Sequence, residues 1–172
     1  SLRQIIQEKY ESVDLTNIVD HLEESVEESL QELKNMVAEL KPSQLEGKGI
    51  CQALVKQCET FAERVNIKIT HDIDDINELT PEQELAVYRI LQEALTNVQK
   101  HSGADQVRVF LKEIKGKVFL TIADNGRGFT NSDNRGNGLE NMKTRAFQNN
   151  GTLEIESTPE KDTVIRVIFD II

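Results

Sequence analysis

No stretch of this 172-residue chain approaches 18 consecutive apolar residues, so nothing in it reads as a membrane-spanning helix. A signal-peptide pattern is missing too. There are no basic runs either: the 20 Lys and Arg are scattered among 30 Asp and Glu, and the formal net charge is −10. So acidic a surface repels a phosphate backbone, which argues against nucleic acid as a partner. If phosphates are bound, backbone amides, a metal ion and a few placed cations would hold them. Cysteine is scarce: Cys51 and Cys58 stand seven apart on one face of an expected helix. That spacing separates them by about 10 Å along the axis, too far for a disulfide. They read as small buried hydrophobes of a reducing, cytoplasmic compartment, with a redox role as the lesser alternative. Proline is limited to 3 residues, and the chain has no internal repeat. What is left, with 38% hydrophobic and 29% charged residues, is an ordinary globular composition. The length suits one compact domain plus an appended element. The chain opens at Ser1 inside an apolar-periodic stretch, which reads as a piece cut from something longer.

The periodicity places the elements. Leu2, Ile5, Ile6 and Tyr10 share one face of a helix tail, and a polar break follows, with Asp14 or Thr16 suited to cap the next helix. From Ile18 through Leu22, Val26, Leu30, Leu33, Val37 and Leu40, steps of three and four draw a narrow apolar stripe flanked by glutamates. A stripe of that kind suits a helical bundle and hence a dimer, and Pro42 ends it. Residues 49–66 form a second amphipathic helix with Ile50, Leu54, Phe61 and Val65 inward, followed by a short strand at 67–70 and an acidic loop at 72–78. Thr80-Pro81-Glu82 starts a helix that runs to about Lys100. The period then changes from 3.6 to 2: strands are expected at 106–113 and 117–123 around a Lys115-Gly116 turn. A glycine-rich stretch leads into a helix at 139–149, which Gly151 would cap, and strands at 152–157 and 163–170 follow. The expected fold is α+β, a two-layer sandwich of helices on an antiparallel or mixed sheet. Residues 1–42 would be the helical dimerisation region and 43–172 the second domain.

Three segments carry chemistry. In Leu91-Gln-Glu-Ala-Leu-Thr-Asn-Val-Gln-Lys-His101, Glu93, Asn97 and His101 are four apart and so share a helix face beside apolar neighbours. The plain alternative is a solvated helix face. In Asp124-Asn-Gly-Arg-Gly-Phe129, a carboxylate at a strand end could accept a hydrogen bond from a base amino group, and the glycines let the backbone pass under a flat ring. The plain alternative is a tight turn. In Arg135-Gly-Asn-Gly-Leu-Glu-Asn-Met-Lys-Thr-Arg145, glycines run into a helix start, offering free N–H groups to phosphates. A flexible loop and cap would look the same. Neither a P-loop nor a dinucleotide fingerprint is present.

Taken in order, these segments closely resemble the Bergerat-type (GHKL) ATP-binding domain shared by histidine kinases, DNA gyrase, the heat-shock chaperone and mismatch-repair ATPases. Gln92-Glu-Ala-Leu-Thr-Asn97 with Lys100-His101-Ser102 is similar to the histidine-kinase form. Gly138-Leu-Glu-Asn-Met142 with Arg145, and Leu40-Lys-Pro-Ser-Gln-Leu45 joined to Gly49-Ile-Cys-Gln-Ala-Leu54, resemble the subfamily paired with LuxR/NarL-type response regulators. The resemblance implies ATP and Mg²⁺ as cofactors. Asn97 would ligate the metal, Glu93 would orient water or the metal shell, and Lys100 and His101 would contact phosphates. Asp124 would hold the adenine amino group above Gly126 and Gly128, with Thr163 supporting that pocket. Residues 130–138 would form a mobile lid hinged at Gly136 and Gly138, with Leu139 beside the nucleotide. Arg145 would be a structural anchor or a phosphate contact.

One departure stands out: the family usually has Gly-Thr before its last strand, and Asp162-Thr163 here makes a left-handed backbone less comfortable. The lid is also short. The resemblance further implies a cytoplasmic histidine kinase, part of a homodimeric parent that is either soluble or membrane-anchored, that passes the γ-phosphoryl to a histidine and on to a regulator's aspartate. The acceptor histidine is not evident. His21 starts the second helix without the expected His-Asp pair, and His71-Asp72 is expected in a loop, so the acceptor would lie upstream of Ser1. Two alternatives remain: a serine kinase of the anti-sigma-factor kind, and a non-catalytic dimeric module with a degenerate nucleotide site.

Overall fold

The computed structural model describes residues 49–129 and 137–171, together with Leu22, Ser25, Val26, Pro42 and Leu45. The chain divides into two compact units, Ser1–Leu40 and Lys41–Ile172. In the first, Leu22, Ser25 and Val26 are helical and exposed. The rest of the apolar stripe expected there, and His21, lie outside the described residues.

In the second unit, helix α1 (Gly49–Val65) buries Ile50, Ala53, Leu54, Cys58 and Phe61, the inward face its spacing foretold, with Val65 half-buried. Burial pushes the Cys58 thiol up to about 12. Cys51 is only half-buried; its thiol donates to the Asp74 carbonyl at 2.9 Å, pinning the loop after the first strand. That strand, β1 (Lys68–Ile73), is longer than the sequence indicates, and it takes His71 and Asp72 out of the loop. Helix α2 (Pro81–Asn97) starts with a reciprocal cap: Gln83 N–H donates to the Thr80 hydroxyl, and Thr80 N–H donates to the Gln83 side chain. The buried Gln83 amide also reaches the Asn149 carbonyl at 3.3 Å, tying this helix start to the far end of helix α3 (Gly138–Gln148).

The α-helix expected to reach Lys100 ends at Asn97, and a single π-helical turn, Val98–Ser102, follows it. The turn closes on Gly103 with φ 66°. The remaining strands are β2 (Gln106–Ile114), β3 (Lys117–Asp124), β4 (Gly151–Thr158) and β5 (Asp162–Asp170). They form a mixed sheet in the order β1-β2-β3-β5-β4, with β1 parallel to β2 and the other pairs antiparallel. Alternation decides which face carries the helices: Val107, Val109 and Leu111, then Val118, Leu120 and Ile122, then Ile165, Val167 and Phe169 all point into the core. This is the two-layer α/β architecture the sequence implied.

Two glycine expectations change. Gly151 does not cap α3, because Asn150 takes the left-handed conformation (φ 56°) and Gly151 opens β4. It must be glycine because a Cβ there would stand 2.6 Å from ring carbons of Phe169. The left-handed residue of the β4–β5 turn is Glu160 (φ 62°), so Asp162 sits without strain inside β5.

Candidate functional site

Asp124 ends β3 in register with the core-facing residues Val118, Leu120 and Ile122, so its carboxylate enters the layer between sheet and helices. It pairs with Thr163 across β5, and neighbours in an antiparallel pair share a face. The two are 9% and 8% exposed, a carboxylate and a hydroxyl side by side where apolar side chains would otherwise continue. Asp124 Oδ1 accepts the Gly126 N–H at 2.9 Å, which turns the loop sharply. A Cβ on Gly126 would lie 2.6 Å from Asp124 Oδ1, from the Ser102 Cβ and from the Ser102 carbonyl. Gly128 has φ 58°, and a Cβ there would run into the Thr158 carbonyl. Both glycines are therefore demanded by close backbone approach. Next to Asp124, Asn125 fastens the strand ends: its Oδ1 accepts the N–H groups of Asp105 and Gln106 at 3.2 and 3.0 Å.

An open cleft is lined in part by this carboxylate. Its walls are apolar, from Ala94, Val98, Ile122, Phe129, Leu139 and Ile165. Its polar groups are Asn97, Ser102, Asp124 and Thr163. An apolar slot with one buried carboxylate at its base can hold a flat heterocycle and read an amino group on its edge.

The π-helical turn changes the polar face expected on α2. It breaks the four-residue spacing after Asn97, and Ser102 rather than His101 lines the cleft. Ser102 is 6% exposed; its hydroxyl donates to the Val98 carbonyl at 2.9 Å and accepts the Ala104 N–H at 3.0 Å. Such turns cluster at functional sites because they aim side chains that a regular helix would place elsewhere. Arg127 locks the turn: its backbone N–H reaches the Ser102 carbonyl and its Nε the His101 carbonyl, each at 2.9 Å. Lys100 is exposed and His101 half-buried, and neither lines the cleft.

At the other end of the cleft, α3 begins over Glu93 and Asn97. A Cβ on Gly138 would collide with Glu93 Oε1 and stand 3.6 Å from Asn97 Oδ1. Among the described residues the Asn137 side chain makes no capping hydrogen bond to the first turn of α3, a helix end whose N–H groups suit an anion. Gly136 lies outside the described residues, as does the lid segment 130–136. The Asn97 amide nitrogen is buried with no hydrogen-bond partner among the described residues. An unmet buried amide costs stability unless something arrives to meet it. No cluster of three or more His, Cys, Asp or Glu able to hold a metal occurs among the described residues. Any Mg²⁺ here would take most of its oxygens from phosphates and water, with Asn97 Oδ1 as its protein ligand and the unmet Nδ2 left to donate to a phosphate oxygen. The donor set fits a metal–nucleotide complex and not a metal held by protein alone. Behind Glu93, burial holds the Arg145 guanidinium below its ordinary value; Arg89 adds to that effect and Glu93 opposes it.

Of the residues singled out in the sequence, Asn97, Asp124, Gly128, Leu139 and Thr163 line one cleft, with Gly126 close against Asp124 and Gly138 against Glu93. Sequence reasoning assigned no role to Ser102, although that residue follows His101 in the motif. It also missed Ser157, whose hydroxyl accepts the Phe129 N–H at 2.8 Å. No local pattern marks Ser157, because its partners lie 28 and 6 residues away.

Residues 82–171 match the family described as histidine kinase-, DNA gyrase B-, and HSP90-like ATPase. The chain is 34% identical over 158 residues to the sensor histidine kinase LiaS of Bacillus subtilis, covering 91% of this chain and 43% of that protein. It is 32% identical over 157 residues to the sensor histidine kinase MctS of Rhizobium johnstonii, covering 88% of this chain and 34% of the relative. The chain thus spans well under half the length of these relatives. Among solved structures, the histidine kinase domain of the Erythrobacter litoralis EL346 blue-light activated histidine kinase superposes with a TM-score of 0.64 at 17% identity, over 78% of this chain and 67% of that one. No helix among the described residues is long and apolar enough to cross a membrane.

Proposed function

Because the chain belongs to the histidine kinase-, DNA gyrase B-, and HSP90-like ATPase family, we propose that residues 43–172 are the ATP-binding catalytic domain of a two-component sensor histidine kinase. On this reading residues 1–42 belong to the helical dimerisation region of a homodimer. The reaction transfers the γ-phosphoryl of ATP to a histidine and then to an aspartate on a response regulator. The motifs around Gly138, Arg145 and Leu40-Lys-Pro42 favour a LuxR/NarL-type regulator. The alternatives have less in their favour: the relatives named above are sensor kinases, and the cleft keeps its carboxylate, amide and hydroxyl.

One observation carries the reading: a buried carboxylate paired with a buried hydroxyl at the base of an apolar cleft, 9% and 8% exposed, with an unmet amide at the other end. Asp124 accepts from the adenine amino group, and Gly126 and Gly128 let the backbone lie close beneath the ring. Asn97 binds the metal–phosphate end and Glu93 orients water or the metal shell there. Lys100 and His101 contact phosphates, and the first-turn amides of α3 at Gly138 supply further donors. Bound Mg²⁺, held through Asn97, would supply neutralisation of phosphate charge. The chain's own part is positioning and fixed donors, which is most of what phosphoryl transfer needs from a protein.

Calorimetric titration of ATP with Mg²⁺ and with EDTA, beside Asp124→Asn and Asn97→Ala, tests this. Asp124→Asn replaces an acceptor oxygen by a donor and should weaken binding at least about 10-fold. Asn97→Ala should remove the Mg²⁺ dependence. Absence of binding by the folded, unaltered chain would overturn the proposal. Supplied with a chain that carries the acceptor histidine, the unaltered protein should form phosphohistidine.

A further inference from the structure

Three parts of the chain meet at the Ser157 hydroxyl. It accepts the backbone N–H of Phe129 at 2.8 Å, and it lies 3.1 Å from the Thr163 hydroxyl and 3.2 Å from the Asp162 carbonyl. Ser157 and Thr163 face each other across β4 and β5, and Thr163 faces Asp124 across β3 and β5. Thr163 lines the cleft, while Ser157 stands half-buried behind it.

We propose that Ser157 is a positioning and specificity-determining residue, which sets whether the Thr163 hydroxyl donates to or accepts from the nucleobase. The inference rests on the nucleotide reading above and deepens it. A hydroxyl carries one proton and two lone pairs. The Phe129 N–H occupies one lone pair of Ser157. If the Ser157 proton goes to the Asp162 carbonyl, the second lone pair accepts from Thr163, whose own lone pairs then face the cleft. If the Ser157 proton goes to Thr163 instead, the Thr163 proton is left for the cleft. Two hydroxyl rotations interconvert these states, and no proton leaves either oxygen.

The edge of adenine offers an amino donor beside a ring-nitrogen acceptor. Asp124 meets the amino group, and a donating Thr163, directly or through one water, meets the ring nitrogen. Hypoxanthine and guanine present a carbonyl and a ring N–H at those positions, the reverse pattern. Asp124 cannot donate to that carbonyl. The Ser157 proton therefore has to sit on Thr163 for the adenine pattern to be read in full.

The test titrates ADP and inosine diphosphate into the full chain and into Ser157→Ala, Ser157→Thr, Thr163→Val and the Ser157→Ala/Thr163→Val pair. One neutral hydrogen bond's worth of bias predicts ADP binding about three- to tenfold weaker in Ser157→Ala. Inosine diphosphate should be unchanged, so discrimination falls by the same factor. Ser157→Thr, which keeps the hydroxyl, should restore discrimination, and Ser157→Ala should have no further effect on ADP once Thr163 is Val. Equal losses for both nucleotides, or an undiminished Ser157→Ala effect in the Thr163→Val background, would mean a merely structural role and overturn the proposal. If Ser157→Ala unfolds, Ser157→Thr against Thr163→Val still decides, since a hydroxyl-dependent ratio requires Ser157→Thr alone to match the unaltered chain. No ADP binding by the unaltered chain would overturn this proposal together with the reading beneath it.

Discussion

Gly138→Ala and Gly126→Ala are the same chemical change, and the structure assigns them opposite consequences. At Gly138 the added methyl meets the Glu93 carboxylate, the free end of a flexible side chain, and no backbone stands in its way. Relief by a rotamer shift costs about 0.5–1.5 kcal/mol, and Ala returns up to ~1 kcal/mol of helix propensity. Stability should thus move by less than about 1 kcal/mol, or a Tm change within ~4 °C. Glu93, however, must move by about the width of a methyl group, and a 1 Å misplacement in a positioned site can cost roughly 100-fold in rate. At Gly126 the methyl meets the Ser102 carbonyl and Asp124 Oδ1 at 2.6 Å, and the Arg127–Ser102 backbone bond prevents the loop from withdrawing. Overpacking of that sort costs about 1–3 kcal/mol and displaces the Asp124 carboxylate. The assay is thermal unfolding and ADP calorimetry on both variants, then phosphohistidine formation with a chain that carries the acceptor histidine. Gly138→Ala should unfold near the unaltered temperature yet phosphorylate poorly; Gly126→Ala should lose both stability and ADP affinity. Unaltered phosphorylation by Gly138→Ala, or unaltered Tm and ADP affinity in Gly126→Ala, would refute the argument.

The Cys58 thiol, raised from 9.0 to about 12 by burial, is neutral in the folded chain where it would ionise in the unfolded one. Its contribution is whole below pH 9.0 and is lost as pH rises towards about 12, at roughly 1.4 kcal/mol per pH unit. Denaturant unfolding between those limits should accordingly show a shallower alkaline decline in Cys58→Ala; an identical slope would remove the assignment. Thr80→Ala deletes the acceptor of the Gln83 N–H and half of the capping box, and should lower stability by about 1 kcal/mol in the same assay.

Much of the molecule could be read before any coordinates. The period of two in β2, β3 and β5 named the core residues because a strand with one buried face has no other way to divide its side chains. Thr80-Pro81 announced α2 through local capping chemistry alone. The order of the three polar segments brought Asn97, Asp124 and Leu139 into consideration together, since each is tied to a local backbone feature: a helix face, a strand end, a helix start. Tertiary structure decided the remainder. The register of β3 against β5 brings Asp124 beside Thr163, 39 positions on, and no local signal encodes a cross-strand pairing. The π-helical turn that substitutes Ser102 for His101 in the cleft is held from outside by Arg127, 25 residues further along. Gly151 looked like a cap and is required instead by the Phe169 ring, just as Ser157 looked like strand filler and takes its part from Phe129 and Thr163. Propensity and period act over a few residues and so were visible in the sequence. Close approach and hydrogen-bond partnership between distant residues depend on sheet register and layer packing, which exist only once the chain has folded.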